Sequence, residues 1–134
     1  MILGLGMDVV EIGRIARILD GPAGLAERFL ARVFTPAERA ACDPRRDRAA
    51  AYAARFAAKE AGYKALAVVP GARWQDFEVT RPQGSAPVLS LAGAAATAAE
   101  VRGVSRVHLT LTHDGGVAAA TVVLEGMSGD EEVA

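Results

Sequence analysis

Cysteine is almost missing from this sequence. The one thiol, Cys42, excludes an internal disulfide framework and a CxxC metal or redox site. No base or cationic cluster is evident beside it, so it is read as unreactive. Aromatic residues make up only 5% of the chain, and they do not interleave with basic ones, so a nucleic-acid stacking platform has no support. An excess of one charge is missing too. The formal net charge of -1 gives no whole-protein attraction to DNA, RNA or anionic lipid. No apolar run approaches the roughly 18 to 20 residues that span a bilayer. The opening MILGLGMDVVEI has no basic segment ahead of its apolar residues and meets Asp8 too early for a secretory leader. Together these absences predict a soluble cytoplasmic domain with no membrane and no nucleic-acid partner.

What the chain does have is apolar residues, 51% of 134, enough for one globular core. No repeat, linker or break in composition divides it. The expectation is one domain over 1–125, followed by a flexible polar tail at 126–134.

The first half reads as a strand followed by helices. MILGLGMDVV is β-prone, with Gly4 and Gly6 permitting a close backbone approach. From Glu11 the apolar spacing turns helical, with Ile12, Ile15 and Ile18 or Leu19 on one face. Pro22 can open a second helix, and Thr35-Pro36 followed by Glu38 is a capping signature for a short third one. Asp47 can cap a long central helix from about 48 to 67, ended by Pro70-Gly71. The second half alternates. WQDFEVTR at 74–81 and VLSL read as strands around the turn PQGSAP, and AGAAATAAEVRG as a helix closed by Gly103. VSRVHLTLT and VAAATVVLE then form a hairpin about His113-Asp114-Gly115-Gly116. The fold class is α+β, an antiparallel sheet packed against helices.

Several residues admit two readings. GLGMDV lacks the third glycine of a dinucleotide loop, Val9 standing there, so Asp8 is either a helix cap or turn residue, or a ligand at a strand end. Glu60 and Lys64, four residues apart, share a helical face. They form either an exposed ion pair or, because Phe56 begins the same stripe, a site at the edge of the core. Asp8 and Glu60 together could hold Mg²⁺, which commonly takes one or two carboxylates and completes its shell with water and phosphate. Lys64, Lys59 and Arg55 would suit the remaining phosphate charge. His113 is either a ligand-contacting residue or a turn histidine bonded to local backbone. His108 is read as structural. Arg14 and Arg17, with Arg28 and Arg32, make either a basic surface for an acidic partner or an ordinary solvated face.

Three stretches then carry a resemblance. GLGMDVVEIGRI (4–15), RFAAKEAGYKAL (55–66) and LTLTHDGGVAAATVV (109–123) are similar, in order, to the three motifs of the compact, trimeric holo-acyl-carrier-protein synthases. The resemblance covers nearly the whole chain. It implies the 4′-phosphopantetheinyl transferase fold and transfer of the phosphopantetheine arm of coenzyme A to a serine of an apo acyl carrier protein, releasing adenosine 3′,5′-bisphosphate. A polyketide or peptide-synthesis carrier is the alternative client, and a non-catalytic module binding carrier or coenzyme A the alternative class. Carried over by position, Asp8 and Glu60 match the Mg²⁺ ligands. Glu60, or a metal-bound water, would accept the serine proton, and Lys64 would neutralise the departing phosphate. Arg55 and His113 match positions near the coenzyme A phosphates, and Arg14 and Arg17 fall on the helix that meets the carrier. The family forms homotrimers with active sites between protomers. Two departures stand out: Gly84-Ser85-Ala86-Pro87 replaces the usual Gly-Lys-Pro or Gly-Arg-Pro turn, keeping Pro87 as a nucleotide contact, and Ala67 replaces a glycine.

Overall fold

A computed structural model describes residues 1–67 and 69–128. In chain order its elements are β1 (Ile2–Glu11), α1 (Ile12–Leu19), α2 (Ala23–Val33), α3 (Pro36–Cys42), α4 (Arg48–Ala65), β2 (Phe77–Thr80), β3 (Val88–Leu91), α5 (Gly93–Val101), β4 (Val104–Asp114) and β5 (Val117–Gly126). β1, β5 and β4 form an antiparallel sheet in that order, and β2 and β3 form a separate antiparallel hairpin. This is the expected α+β architecture. Among the described residues no helix is long and apolar enough to cross a membrane.

Helix α4 is the centre of the molecule. Its alanines at 51, 53, 54, 57, 58, 61 and 65 are buried, so little side chain separates its backbone from what it touches. The inward face of β5 (Ala118, Ala120, Val122 and Leu124) is buried against the same core. β1 closes in because it presents glycines there. A Cβ on Gly4 would stand 2.2 Å from the Ala65 carbonyl oxygen, and one on Gly6 only 1.9 Å from that of Ala61. On the opposite side Gly62 leaves room for the Phe77 ring, which a Cβ would meet at 2.9 Å. α4 thus lies between the three-stranded sheet and the β2–β3 hairpin.

The turns follow from local chemistry. Thr35 and Glu38 form the expected capping box at α3. Gly115 and Gly116, at φ 58° and 84°, make the two-residue β4–β5 turn, where positive φ matches the twist of the strands. That turn is tighter than expected, since His113 and Asp114 still pair within the ladder, opposite Ala118 and Val117.

Three expectations are corrected. Trp74–Asp76 is a 3-10 turn and only Phe77–Thr80 is strand. Asp76 turns its carboxylate onto the Arg73 amide, and its carbonyl accepts from Ala92, which ties the segment down before it can extend. Asp47 occupies the cap position of α4, but its carboxylate is held by Arg45 at 2.7 and 2.9 Å and caps nothing. α4 ends at Ala65, two residues early, as Ala67 turns left-handed at φ 65°. Of the tail expected at 126–134, Gly126 ends β5, its amide and carbonyl bonded to Met1, and residues 129–134 lie outside the described residues.

Candidate active site

β1 and α4 bring Asp8 and Glu60 together across fifty-one intervening residues. Asp8 sits on the α4 side of β1, with Ala120 as its neighbour on β5. Lys64 reaches from the last turn of α4 to Asp8 Oδ1 at 3.0 Å and donates to the Met7 carbonyl at 3.2 Å. The lysine side chain is half exposed, whereas Asp8 is mostly covered. Glu60 is half-buried on the same helical face. Burial first, and then the charge of Asp8, push the Glu60 carboxyl above its ordinary value, while Lys64 and Arg14 act the other way. The site is therefore two carboxylates near enough to act on each other, one of them half-buried, with Lys64 and Arg14 at their edge.

Such a pair attracts a cation. Among the described residues no set of three or more His, Cys, Asp or Glu converges, which disfavours an all-protein cage of the zinc kind. Two carboxylates beside a half-exposed lysine do suit Mg²⁺, which leaves the rest of its shell to water and phosphate oxygens. Glu60 also lines a cleft of about 640 Å³ walled by Arg32, Tyr63, Trp74 and Phe77 among others. Sequence reasoning missed this cleft, because its wall comes from the 3-10 turn that was read as strand.

Arg55 and His113 meet elsewhere. Five residues before Glu60, Arg55 stands about 140° around the helix and roughly 7.5 Å along it, so it shares neither face nor site with the carboxylates. With His113, Arg45, Asp47 and Arg81 it lines a smaller cleft of about 100 Å³. Arg55 is 9% exposed, and its Nε has no hydrogen-bond partner among the described residues. Its Nη1 donates a long bond, 3.4 Å, to the Ala51 carbonyl. A buried guanidinium nitrogen left unsatisfied is costly, and at a cleft wall it is free to receive an acceptor. Pro87 stands at the exit of the 84–87 turn, just before β3, and is not part of this wall.

Lys59 must be taken out of the phosphate-facing set. It is fully buried, and its ammonium is bound by Glu38 at 2.6 Å and by the carbonyls of Phe77 and Trp74 at 2.5 and 3.3 Å. Burial pulls its pKa down while Glu38 pulls it up. Its neighbours are all acceptors, so it ties α4 to α3 and β2 and faces no ligand. Arg14 and Arg17 lie exposed on α1, and Arg14 is close enough to act on Glu60. His108, read as structural, pairs with Glu125 at 2.9 Å on an exposed stretch of the sheet.

Comparison with known proteins identifies the family. Residues 4–122 match the family model described as the 4′-phosphopantetheinyl transferase superfamily. The chain is 68% identical over 126 residues to a holo-[acyl-carrier-protein] synthase of Anaeromyxobacter dehalogenans strain 2CP-C, spanning 94% of this chain and 98% of that one. Its fold is similar to a holo-[acyl-carrier-protein] synthase from Neisseria meningitidis, with TM-score 0.82 and 30% identity over 93% of this chain and 99% of the other. It is also similar to the Helicobacter pylori synthase in complex with coenzyme A, with TM-score 0.76 and 28% identity over 90% and 99%.

Proposed function

The chain belongs to the 4′-phosphopantetheinyl transferase superfamily, as an enzyme of the holo-[acyl-carrier-protein] synthase kind, and from that premise we propose how its residues divide the reaction. Coenzyme A gives up its phosphopantetheine arm to a serine of an apo acyl carrier protein, and adenosine 3′,5′-bisphosphate leaves. The observation that carries this reading is the meeting of Asp8, Glu60 and Lys64 at the β1–α4 contact.

The chemistry asks for alignment and charge neutralisation more than for covalent help from the protein. Asp8 and Glu60 would hold Mg²⁺, which, when bound, neutralises the pyrophosphate and polarises it for attack. Glu60, with its proton affinity raised by burial and by Asp8, takes the proton of the incoming serine hydroxyl. Lys64 is parked on Asp8, swings to the departing phosphate and neutralises it. Arg55 and His113 receive the phosphate at the far end of coenzyme A. Arg14 and Arg17, exposed on α1 and beside the site, meet an acidic helix of the carrier.

The outer face of the sheet supports a homotrimer with shared active sites. Leu5, Met7 and Val9 are 65%, 58% and 53% exposed on β1, beside Val117, Ala119 and Thr121 of β5. A contiguous apolar patch of this kind suits an interface. Covering it would bring a second protomer against the strand that carries Asp8. The enzyme works in the cytoplasm, where its one thiol stays reduced.

Intact mass spectrometry of an apo carrier incubated with the protein, coenzyme A and Mg²⁺ should show one added phosphopantetheine, lost with EDTA. No gain on fatty-acid, polyketide or peptide carriers would overturn the reading, and initial rates among the three would name the client. Glu60→Gln should reduce turnover by a factor of about 10²–10⁴ while keeping the parent's circular dichroism. Full activity in that variant would remove Glu60 from the mechanism.

A further inference from the structure

At its closest points the β1–α4 contact is backbone on backbone, with Gly4 against the Ala65 carbonyl and Gly6 against that of Ala61. Such packing has no direction of its own, so hydrogen bonds fix how the strand lies on the helix. Among the described residues two side chains supply the bonds that join the two elements. Lys64 holds one end, through the Met7 carbonyl and Asp8 Oδ1. Arg102 holds the other, its Nη1 donating to the Ala65 carbonyl at 3.1 Å and its Nη2 to the Leu3 carbonyl. Both acceptors are left over by their own elements. Ala65 ends α4, so no amide of that helix follows to meet its oxygen. Leu3 falls at the irregularity in the β1–β5 register, between Ile2 facing Glu125 and Gly4 facing Leu124, and has no partner there. The base of the arginine is fixed, because its amide caps α5 on the Ala98 carbonyl and Gly103 turns the chain into β4 at φ 80°.

We propose that Arg102 is a positioning residue, which holds Asp8 beside Glu60 while Lys64 is away from Asp8. The inference rests on the proposed division of labour, in which the two carboxylates hold the metal and Lys64 swings to the departing phosphate. In the resting site both ends of the contact are tied. Once Lys64 leaves, its two bonds to β1 go with it, and the Arg102 fork is the tie that stays. Arg102 touches no reacting group, since Leu3 precedes Asp8 by five residues, roughly 17 Å of extended strand. Its influence runs along the strand and is greatest at the moment of transfer. Arginine suits this task better than lysine, because its rigid fork meets two carbonyls from different elements at once. Its charge also lies at the negative end of the α4 dipole.

Titration of the full chain with Mn²⁺, the free ion counted by electron paramagnetic resonance, reports on the carboxylate pair without turnover. Arg102→Ala should weaken Mn²⁺ by about threefold with Lys64 in place, and by about tenfold in Lys64→Met, where the other tie is already gone. Independent sites would instead multiply to within about twofold. In transfer to an apo carrier, Arg102→Ala should lower kcat about tenfold and leave the KM for coenzyme A within about twofold, because the tie matters once Lys64 has moved. Arg102→Lys keeps a donor at the position and should fall between parent and alanine in both readings. Parental Mn²⁺ affinity in Arg102→Ala, losses that simply multiply, or a raised KM at unchanged kcat would overturn the proposal. Glu60→Gln separates the two levels. If it loses Mn²⁺ and Arg102→Ala does not, the metal pair stands and Arg102 falls. If the parent binds Mn²⁺ no better than Glu60→Gln does, the pair itself falls, and the proposal with it.

Discussion

Ala67 holds a left-handed conformation, at φ 65°, that costs an L-residue with a Cβ roughly 1–2 kcal/mol. It does so to end α4: its amide bonds to the Lys64 carbonyl at 3.0 Å, and the Leu66 amide to that of Gly62 at 3.1 Å. Ala67→Gly should therefore raise stability by about 0.5–1 kcal/mol, after the extra entropy of glycine in the unfolded chain is subtracted. Urea midpoints at equal slope would check it. Cys42 gives a second prediction at this scale. Burial pushes its thiol up to about 11 from an ordinary 9.0, so the unfolded chain ionises first as pH rises. Native stability should thus be unaffected by this group below pH 9 and decline from 9 through 11. Cys42→Ala should flatten that decline in melts recorded across the range. At this scale the motifs singled out Asp8, Glu60 and Lys64, which the fold brings together, and Arg55 and His113, which line a second cleft. The role of Lys59 was not legible, because in one dimension a cation facing phosphate and a cation facing three buried acceptors look alike.

Among the elements, the contact between β1 and α4 decides whether a site exists. Asp8 follows Gly6 by two residues and points the same way, so any push on β1 at Gly6 moves the carboxylate away from Glu60 and Lys64. Gly6→Ala places a methyl group where the Ala61 carbonyl stands, 1.9 Å from its oxygen. Neither backbone can yield without lifting strand from helix. The expected loss is about 2–4 kcal/mol, with turnover falling further than the folded fraction does. Comparing thermal melts with specific activity of the folded protein would separate the two effects. Element types were mostly readable from periodicity and capping. The exceptions have a common cause: at Trp74–Asp76 and at Asp47 a carboxylate chose a tertiary or local partner that alternation and cap propensity do not report. The pairing of Asp8 with Glu60 was likewise closed to spacing arguments, since it depends on how nearly two backbones can approach.

At the scale of the whole molecule, the apolar outer face of β1 and β5 argues for assembly. Met7→Glu, replacing a 58% exposed methionine at the centre of that face, should convert the proposed trimer to monomer in light scattering and abolish transfer. A variant that stays trimeric would move the interface elsewhere. The subunit itself is unified by one side chain. Glu38 accepts from the Thr35 amide that begins α3, from the Val79 amide in the middle of β2 and from the ammonium of Lys59 on α4, at 2.9, 2.9 and 2.6 Å. Opening the Lys59 bond would strand a charge in a dry interior, and opening either amide bond would leave a buried donor unpaired. A helix, a hairpin and the central helix consequently melt together, and the wall of the cleft beside Glu60 inherits the rigidity of the whole domain.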